Sequence, residues 1–364
     1  MPPAAPPTSD AAGVSAPPKP AQLTSTMPFV VGRLEVRQLA PPLFDGARAA
    51  PPVEPVPYEQ FRLLATLQVG HSHLSMLDLS LDETRLLAVS ESEGRLRVYD
   101  TESRRLIAQA PVSGFDLFGV GQFLFWPALA PAHRVIFSGV QGFILLDPTG
   151  SADPMRLSQD RAGSIKVQSG LVGSIRAEGA AHASVLTLYE PESSLELVPL
   201  LSVATSEWVE DWVLSPDRTQ LGVVYFPSNE LEWIDLKSRQ VLWRASAPEF
   251  ANSLDLSPDG TLLAVGGKEL RVLSVADPGK VGGFTQFDNN IHQVHFAPAG
   301  DAVVASSYDG HLRIVSATTD SAGPVLRKVL RHAGTANVYA FRFTRDGRRL
   351  YSCSGDRTLR LFGL

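Results

Sequence analysis

The stretch "SLDLSPDGTLLAV" (253–265) decides the fold. At its centre, Ser257-Pro258-Asp259-Gly260 carries turn chemistry. Proline at the second position fixes φ, and aspartate and glycine suit the third and fourth positions of a type I turn. The flanks alternate apolar and polar residues, the period of a half-buried strand. The phrase therefore reads as strand, turn, strand, and the question is how often it recurs.

It recurs along most of the chain. Related copies run over 77–100, 128–147, 212–235, 254–275, 294–316 and 341–362, and a degraded copy, "LVGSIRAEGAAHASVLTLYE", fits 171–190. Their phrase positions are Ser80, Ala130, Val172, Ser215, Ser257, Ala297 and Thr344, spaced 50, 42, 43, 42, 40 and 47 residues apart. Each copy reads as strand, turn, strand, second polar turn, strand. Further strands between copies, such as "RLIAQAPV" (105–112) and "QVLWRASA" (240–247), make four per unit. A four-stranded unit at this period is the blade of a β-propeller. One blade cannot bury both faces of its sheet, whereas seven stacked around an axis do. The sequence thus predicts an all-β, seven-bladed β-propeller over 58–364. The last copy stops after its third strand, and "FRLLATLQV" (61–69) has the pattern of the missing fourth. That segment is expected to close the last blade and lock the two ends of the ring together.

Ahead of this lies a different composition. Residues 1–57 hold 14 of the 28 prolines. A Pro/Ala mixture offers little large apolar surface and few backbone donors, so a disordered arm is expected. One exception, "PFVVGRLEVRQL" (28–39), has the makings of a short strand or docking segment, or of a sticky patch in a tail.

The last copy, "LRHAGTANVYAFRFTRDGRRLYSCSGDRTLRLF", resembles the WD-repeat β-propeller family. The resemblance implies a structural hydrogen-bond network of His332, Ser352 and Asp356. Phe362 stands where the family has tryptophan, so the indole donor is missing, and His332 lies about two residues further upstream than the family pattern. Gly70-His71 resembles the family's Gly-His in the incoming loop, but Val89 and Glu93 replace its serine and aspartate partners. The stretch 77–112 is also similar to YVTN-type bacterial propellers.

Composition bounds the chemistry. The chain has 364 residues, 44% hydrophobic and 19% charged, with net charge −6. Only six of its 32 cations are lysine, a bias that together with the Ala and Pro richness points to a GC-rich genome more than to a function, and a bacterial source is expected. The mild acidity does not suit a general nucleic-acid binder. The single cysteine, Cys353, cannot form an internal disulfide and reads as a small buried residue rather than a nucleophile. No apolar run is long enough for a membrane helix, and the first residues lack the basic and apolar regions of a secretory signal. The expected compartment is cytoplasmic, or exported or periplasmic if a leader precedes residue 1. No nucleophile elbow or phosphate loop emerges: "SGVQG" (138–142) has the wrong middle residue, and "GVGQFLF" (119–125) lacks the lysine. No cofactor is expected. His71 with His73, and His292 with His295, are close pairs, for which capping or network roles outweigh a metal site.

Function therefore falls to the loops. Residues 190–260 carry 13 acids and four bases, and 324–364 carry nine bases and two acids, so two sectors of the ring differ in sign. Such sectors steer partners, although ordinary solvated strand faces give the same pattern. Trp208 and Trp212 flank an acidic stretch with Glu210 between them. Trp208 is a possible anchor, and Trp212 fits packing between blades. The candidate partner-binding residues are His71, His73, Trp208, Glu210, His292, Tyr308, His332 and Tyr339. The expected role, by fold-level analogy, is a non-catalytic scaffold. It would be a monomeric ring within a larger complex that presents loops to a protein or peptide. The alternative is a propeller enzyme or small-ligand binder, lactonase- or dehydrogenase-like, using the central channel mouth.

Overall fold

The computed structural model describes residues 29–31, 34–38, 52–70, 72–90, 92–111, 122–125, 133–139, 142–147, 155–157, 164–168, 170–178, 183–191, 196–332, 334 and 336–364. Among these, the only helical element is the single turn Tyr58–Gln60, and the remaining elements are strands. No helix is long and apolar enough to cross a membrane. The protein is an all-β propeller.

Six four-stranded antiparallel sheets and one six-stranded sheet account for the strands. In chain order, sheet I holds Met76–Leu79, Arg85–Ser90, Arg95–Asp100 and Leu106–Pro111. Sheet II holds Gln122–Phe125, His133–Gly139, Gly142–Leu146 and Met155–Arg156. Sheet III is built on Ser164–Gln168, Leu171–Ala177, Ser184–Pro191 and Leu197–Thr205. Sheet IV holds Trp208–Leu214, Gln220–Phe226, Glu230–Asp235 and Gln240–Ser246. Sheet V holds Ser253–Leu256, Leu262–Gly266, Leu270–Ser274 and Val281–Phe284. Sheet VI holds Ile291–Phe296, Ala302–Ser307, His311–Ser316 and Leu326–Arg331. Sheet VII holds Val338–Phe343, Arg349–Ser354, Thr358–Gly363 and, from the other end of the chain, Arg62–Gln68.

That last pairing is the closure read from the sequence. Arg62 lies opposite Gly363 and Gln68 opposite Thr358, in an antiparallel ladder. The segment before it is also packed. Val56, Tyr58 and Phe61 are buried with Leu312, Ile314, Phe341 and Phe362. The first strand of sheet VII touches the first strand of sheet I, as each sheet touches the next. Apolar clusters fill the seams: Trp212, Val223 and Tyr225 of sheet IV meet Leu171, Ile175 and Leu188 of sheet III. Trp212 is fully buried. Its indole occupies the space above Gly173, where a Cβ would lie 2.1 Å from Cζ2, so glycine is needed for this close approach.

The turns behave as their residues dictate. In Ser257-Pro258-Asp259-Gly260, the Gly260 N–H donates to the Ser257 carbonyl at 2.8 Å. Asp259 Oδ1 accepts from Ser257 Oγ at 2.6 Å and from the Thr261 N–H at 3.0 Å. The same pattern recurs with Ser215, Asp217 and Thr219, and with Ser80, Asp82 and Thr84. In the degraded copy the turn lies ahead of the expected Val172. Val172 is not a turn residue: it pairs with Val167 inside the second strand of sheet III, and Gln168 lies opposite Leu171, which leaves only two residues for the turn. A two-residue connection needs no SPDG-like phrase. Ala130 lies outside the described residues.

Of the arm, Phe29–Val31 and Leu34–Gln38 form a hairpin. Its second strand pairs with the outer strand of sheet III, with Val36 opposite Val203, which gives that sheet six strands. The docking alternative for 28–39 is the one the structure adopts. Residues 1–28 and 39–51 lie outside the described residues.

Candidate functional site: the channel mouth

The first strand of each sheet faces a central cavity of roughly 530 Å³. Two layers of polar side chains line it, and they do different work.

The lower layer binds the sheets together. Innermost strands have no hydrogen-bonded neighbour on their channel side, so their N–H groups need side-chain partners. The preceding sheet supplies them. Leu214 N–H donates to Gln168 Oε1 at 3.0 Å, Leu254 N–H to Asp211 Oδ2 at 2.7 Å, and Phe296 N–H to Asp255 Oδ2 at 2.7 Å. Phe341 N–H donates to Gln293 Oε1 at 3.0 Å, and Val167 N–H to Gln122 Oε1. Charged pairs complete the belt. Lys166 Nζ reaches Asp211 at 2.9 Å and the carbonyls of Trp212 and Leu254 at 2.8 and 3.1 Å. Arg342 holds Asp78 at 2.8 Å and His295 Nε2 at 2.9 Å. His295 also faces Asp255 at 3.4 Å. Its ring is therefore committed to this belt and not to His292. Burial, only partly offset by Asp255, holds its pKa below the usual 6.5.

The upper layer sits where the innermost strands begin. In an antiparallel four-strand meander, the turn between the second and third strands returns to that same end. Tyr308, in that turn of sheet VI, donates its N–H to the Asn290 carbonyl at 3.1 Å. Six of the eight candidate residues line the cavity: His73, Trp208, Glu210, His292, Tyr308 and Tyr339. Three of them share a local cause. The first strands of sheets IV, VI and VII each carry a register shift, between Val209 and Asp211, between Ile291 and Gln293, and between Val338 and Ala340. The extra residues are Glu210, His292 and Tyr339. A bulge re-aims the side chain it carries.

The rings meet edge to face. His292 lies 5.2 Å from Tyr308 and 5.5 Å from Tyr339, with planes at 77° and 86°. Tyr308 and Tyr339 are 6.1 Å apart at 76°, and His73 stands 6.0 Å from Tyr339. Burial lowers the His292 pKa, and a hydrogen bond to the Tyr339 backbone partly opposes this. Burial, reinforced by neighbouring Asp211, raises the Glu210 carboxyl, while a hydrogen bond from Trp208 pulls it back. Burial also raises the Tyr308 phenol, with smaller contributions from Tyr339 and Glu210.

Two candidates remain. His71 is outside the described residues. His332 is buried within sheet VII: Nε2 meets Ser352 Oγ at 2.7 Å, and Nδ1 faces Asp356 Oδ2 at 3.2 Å and Thr358 Oγ1 at 3.3 Å. Phe362 stands edge-on to its ring at 6.4 Å, an apolar neighbour where an indole would donate. This network ties the chain leaving sheet VI to sheet VII, and His332 does not face the channel. Cys353 is fully buried and its thiol is pushed up to about 12, far from a nucleophile's range. Among the described residues, no group of three or more His, Cys, Asp or Glu is placed to hold a metal ion. Several basic residues of sheet VII are engaged: Arg342 with Asp78, and Arg360 with Asp356 and the Arg331 carbonyl.

Sequence reasoning missed the belt and the bulges. Asp78 and Asp255 of the two "LDLS" phrases occupy equivalent places, and that repetition of a charge at an inward position was the available signal. A bulge leaves no such mark.

Residues 324–362 match the family described as "WD domain, G-beta repeat". A stretch of 82 residues is 35% identical to WD repeat-containing protein 90 of Xenopus tropicalis, covering 22% of this chain and 4% of that protein. The chain thus corresponds to a small fraction of that relative's length.

Proposed function

We propose that this chain, a WD-repeat β-propeller, is a non-catalytic interaction scaffold that takes a protein or peptide partner at the channel mouth. One observation carries the reading: six loop and strand-start residues from four of the sheets line one cavity. Aromatic residues at a rigid mouth are typical binding anchors. The rival, chemistry in the channel, has less support. The charged side chains of the lower layer, Lys166, Asp211, Asp255, His295 and Arg342, are engaged with main chain or with one another.

In this reading the six-stranded sheet III is the seventh blade, widened by the hairpin, and the ring occupies 58–364 behind an N-terminal arm. The ring is a monomer within a larger cytoplasmic assembly. The test is crosslinked affinity capture with the full chain and with a Trp208→Ala/Tyr308→Ala variant of unchanged melting temperature. Partners held by the wild type should be lost from the variant. Equal retention by both would move the binding surface away from the mouth.

A further inference from the structure

Three consecutive sheets present hydrogen-bond acceptors at the mouth whose needs the chain itself meets only in part or not at all. Glu210, from sheet IV, accepts one hydrogen bond from Trp208, and the charged group that acts on its carboxylate is another acid, Asp211. Among the described residues, no lysine or arginine forms an ion pair with it. The channel's cations are committed elsewhere, Lys166 to Asp211 and Arg342 to Asp78. Asn252, before sheet V, donates Nδ2 to the Ile291 carbonyl at 3.0 Å, and its buried Oδ1 has no partner. His292, from sheet VI, has a buried Nδ1 with no partner. A neutral ring that donates to the Tyr339 backbone through its other nitrogen leaves Nδ1 as a bare acceptor. Bare buried acceptors are costly, and a ligand that supplies donors recovers that cost. The cavity also lines one bare donor, Trp212 Nε1, but that indole is packed between sheets III and IV against Gly173.

The walls narrow the choice. Tyr308, Tyr339 and His292 stand nearly perpendicular to one another, so they form a corner that offers ring faces to a flat group. Aromatic faces attract cations, and a carboxylate beside them adds charge. A quaternary ammonium would satisfy the faces but has no N–H for Glu210, Asn252 and His292. A phosphate or carboxylate would be repelled by Glu210 and Asp211. A guanidinium is flat and cationic and carries five N–H donors. The cavity, at roughly 530 Å³, lies within the range of ligand pockets.

We infer that the channel mouth is a receptor for an arginine side chain of the partner, stacked in the Tyr308–Tyr339–His292 corner and donating to Glu210, Asn252 and His292. This rests on the interaction reading above and names the group that is recognised.

The test pans a displayed library of random nonapeptides against the full-length chain, then titrates the enriched peptides as synthetic molecules. Enriched sequences should share an arginine. Its replacement by citrulline, which keeps the shape and removes the charge, should weaken binding by roughly tenfold or more. Glu210→Gln, an isostere, should weaken it by a similar factor at an unchanged melting temperature, and Tyr308→Leu gives a second variant for the wall. Enriched peptides that lack arginine, tolerate citrulline, or bind both variants as well as wild type would overturn the inference and leave a peptide-binding scaffold standing. Failure of any peptide to enrich would remove the interaction reading at this mouth, and the arginine site with it.

Discussion

At the scale of the residue, the SPDG-type phrase is a small, self-contained device. Asp259 accepts from Ser257, from the Thr261 N–H and from Thr261 Oγ1, and this satisfies the turn without outside help. Burial works to raise its pKa, but those hydrogen bonds prevail and hold the carboxyl below the usual 3.8. The fourth position has φ +75° at Gly260, a left-handed conformation that favours glycine. Gly260→Ala should therefore cost about 1 kcal/mol, readable as a lower urea midpoint with unchanged slope. A Cβ there would also approach Pro216 Cδ at 3.0 Å, so the neighbouring turn must yield slightly. All of this chemistry is local, which is why it was legible from four letters. The roles of Glu210, His292 and Tyr339 were only half legible. Their residue types suggested contact with a partner, but the register shifts that aim them depend on pairing between strands.

At the scale of the element, two kinds of contact hold strands in place, and they should fail differently. The channel belt binds each innermost strand to the preceding sheet through single side chains. Gln293→Ala would leave the Phe341 N–H without its acceptor, at a cost of about 1–3 kcal/mol. A thermal melt of this variant should shift down, and an unshifted melt would mean that water replaces the amide. The closing strand Arg62–Gln68 works through a whole ladder. Deleting 58–69 also removes Tyr58 and Phe61 from their buried cluster and should unfold the ring or make its transition non-cooperative. Deleting 1–50, which contains the hairpin on sheet III, should leave the melting temperature nearly unchanged. The hairpin covers only the outer edge of that sheet, and among the described residues the other six sheets have four strands each.

At the scale of the whole molecule, burial sets how stability responds to acid. His292, His295 and His332 have pKa values lowered from 6.5, with desolvation the first cause in each. Below about pH 6.5 the unfolded chain therefore binds protons that the folded ring refuses, and stability falls as pH falls. Above that value these histidines add no slope. Asp217, Asp259, Asp309 and Asp346 sit below 3.8: burial raises each, but hydrogen bonds, joined by a neighbouring cation in all but Asp259, outweigh it, so their contribution is lost only at still lower pH. Glu210, raised above 4.5, acts in the opposite sense over the window just above that value. Melting temperature followed from about pH 8 to 3 should begin to fall near 6.5, before most carboxylates titrate. A flat curve down to about pH 5 would contradict the buried, neutral state of the three histidines.

The sequence by itself determined the propeller class, the unit length, the turns and the strand that closes the ring. Each of these is written in local periodicity and recurs from one repeat to the next, so copies at Ser80, Ser215, Ser257 and Thr344 reinforce one another. Only the tertiary structure decided three other matters: which strand of the degraded repeat begins sheet III, which side chains bind one sheet to the next, and which loop residues meet at the mouth. These depend on pairing between segments about forty residues apart or at opposite ends of the chain. There the partner, not the residue's own neighbours, sets register and direction.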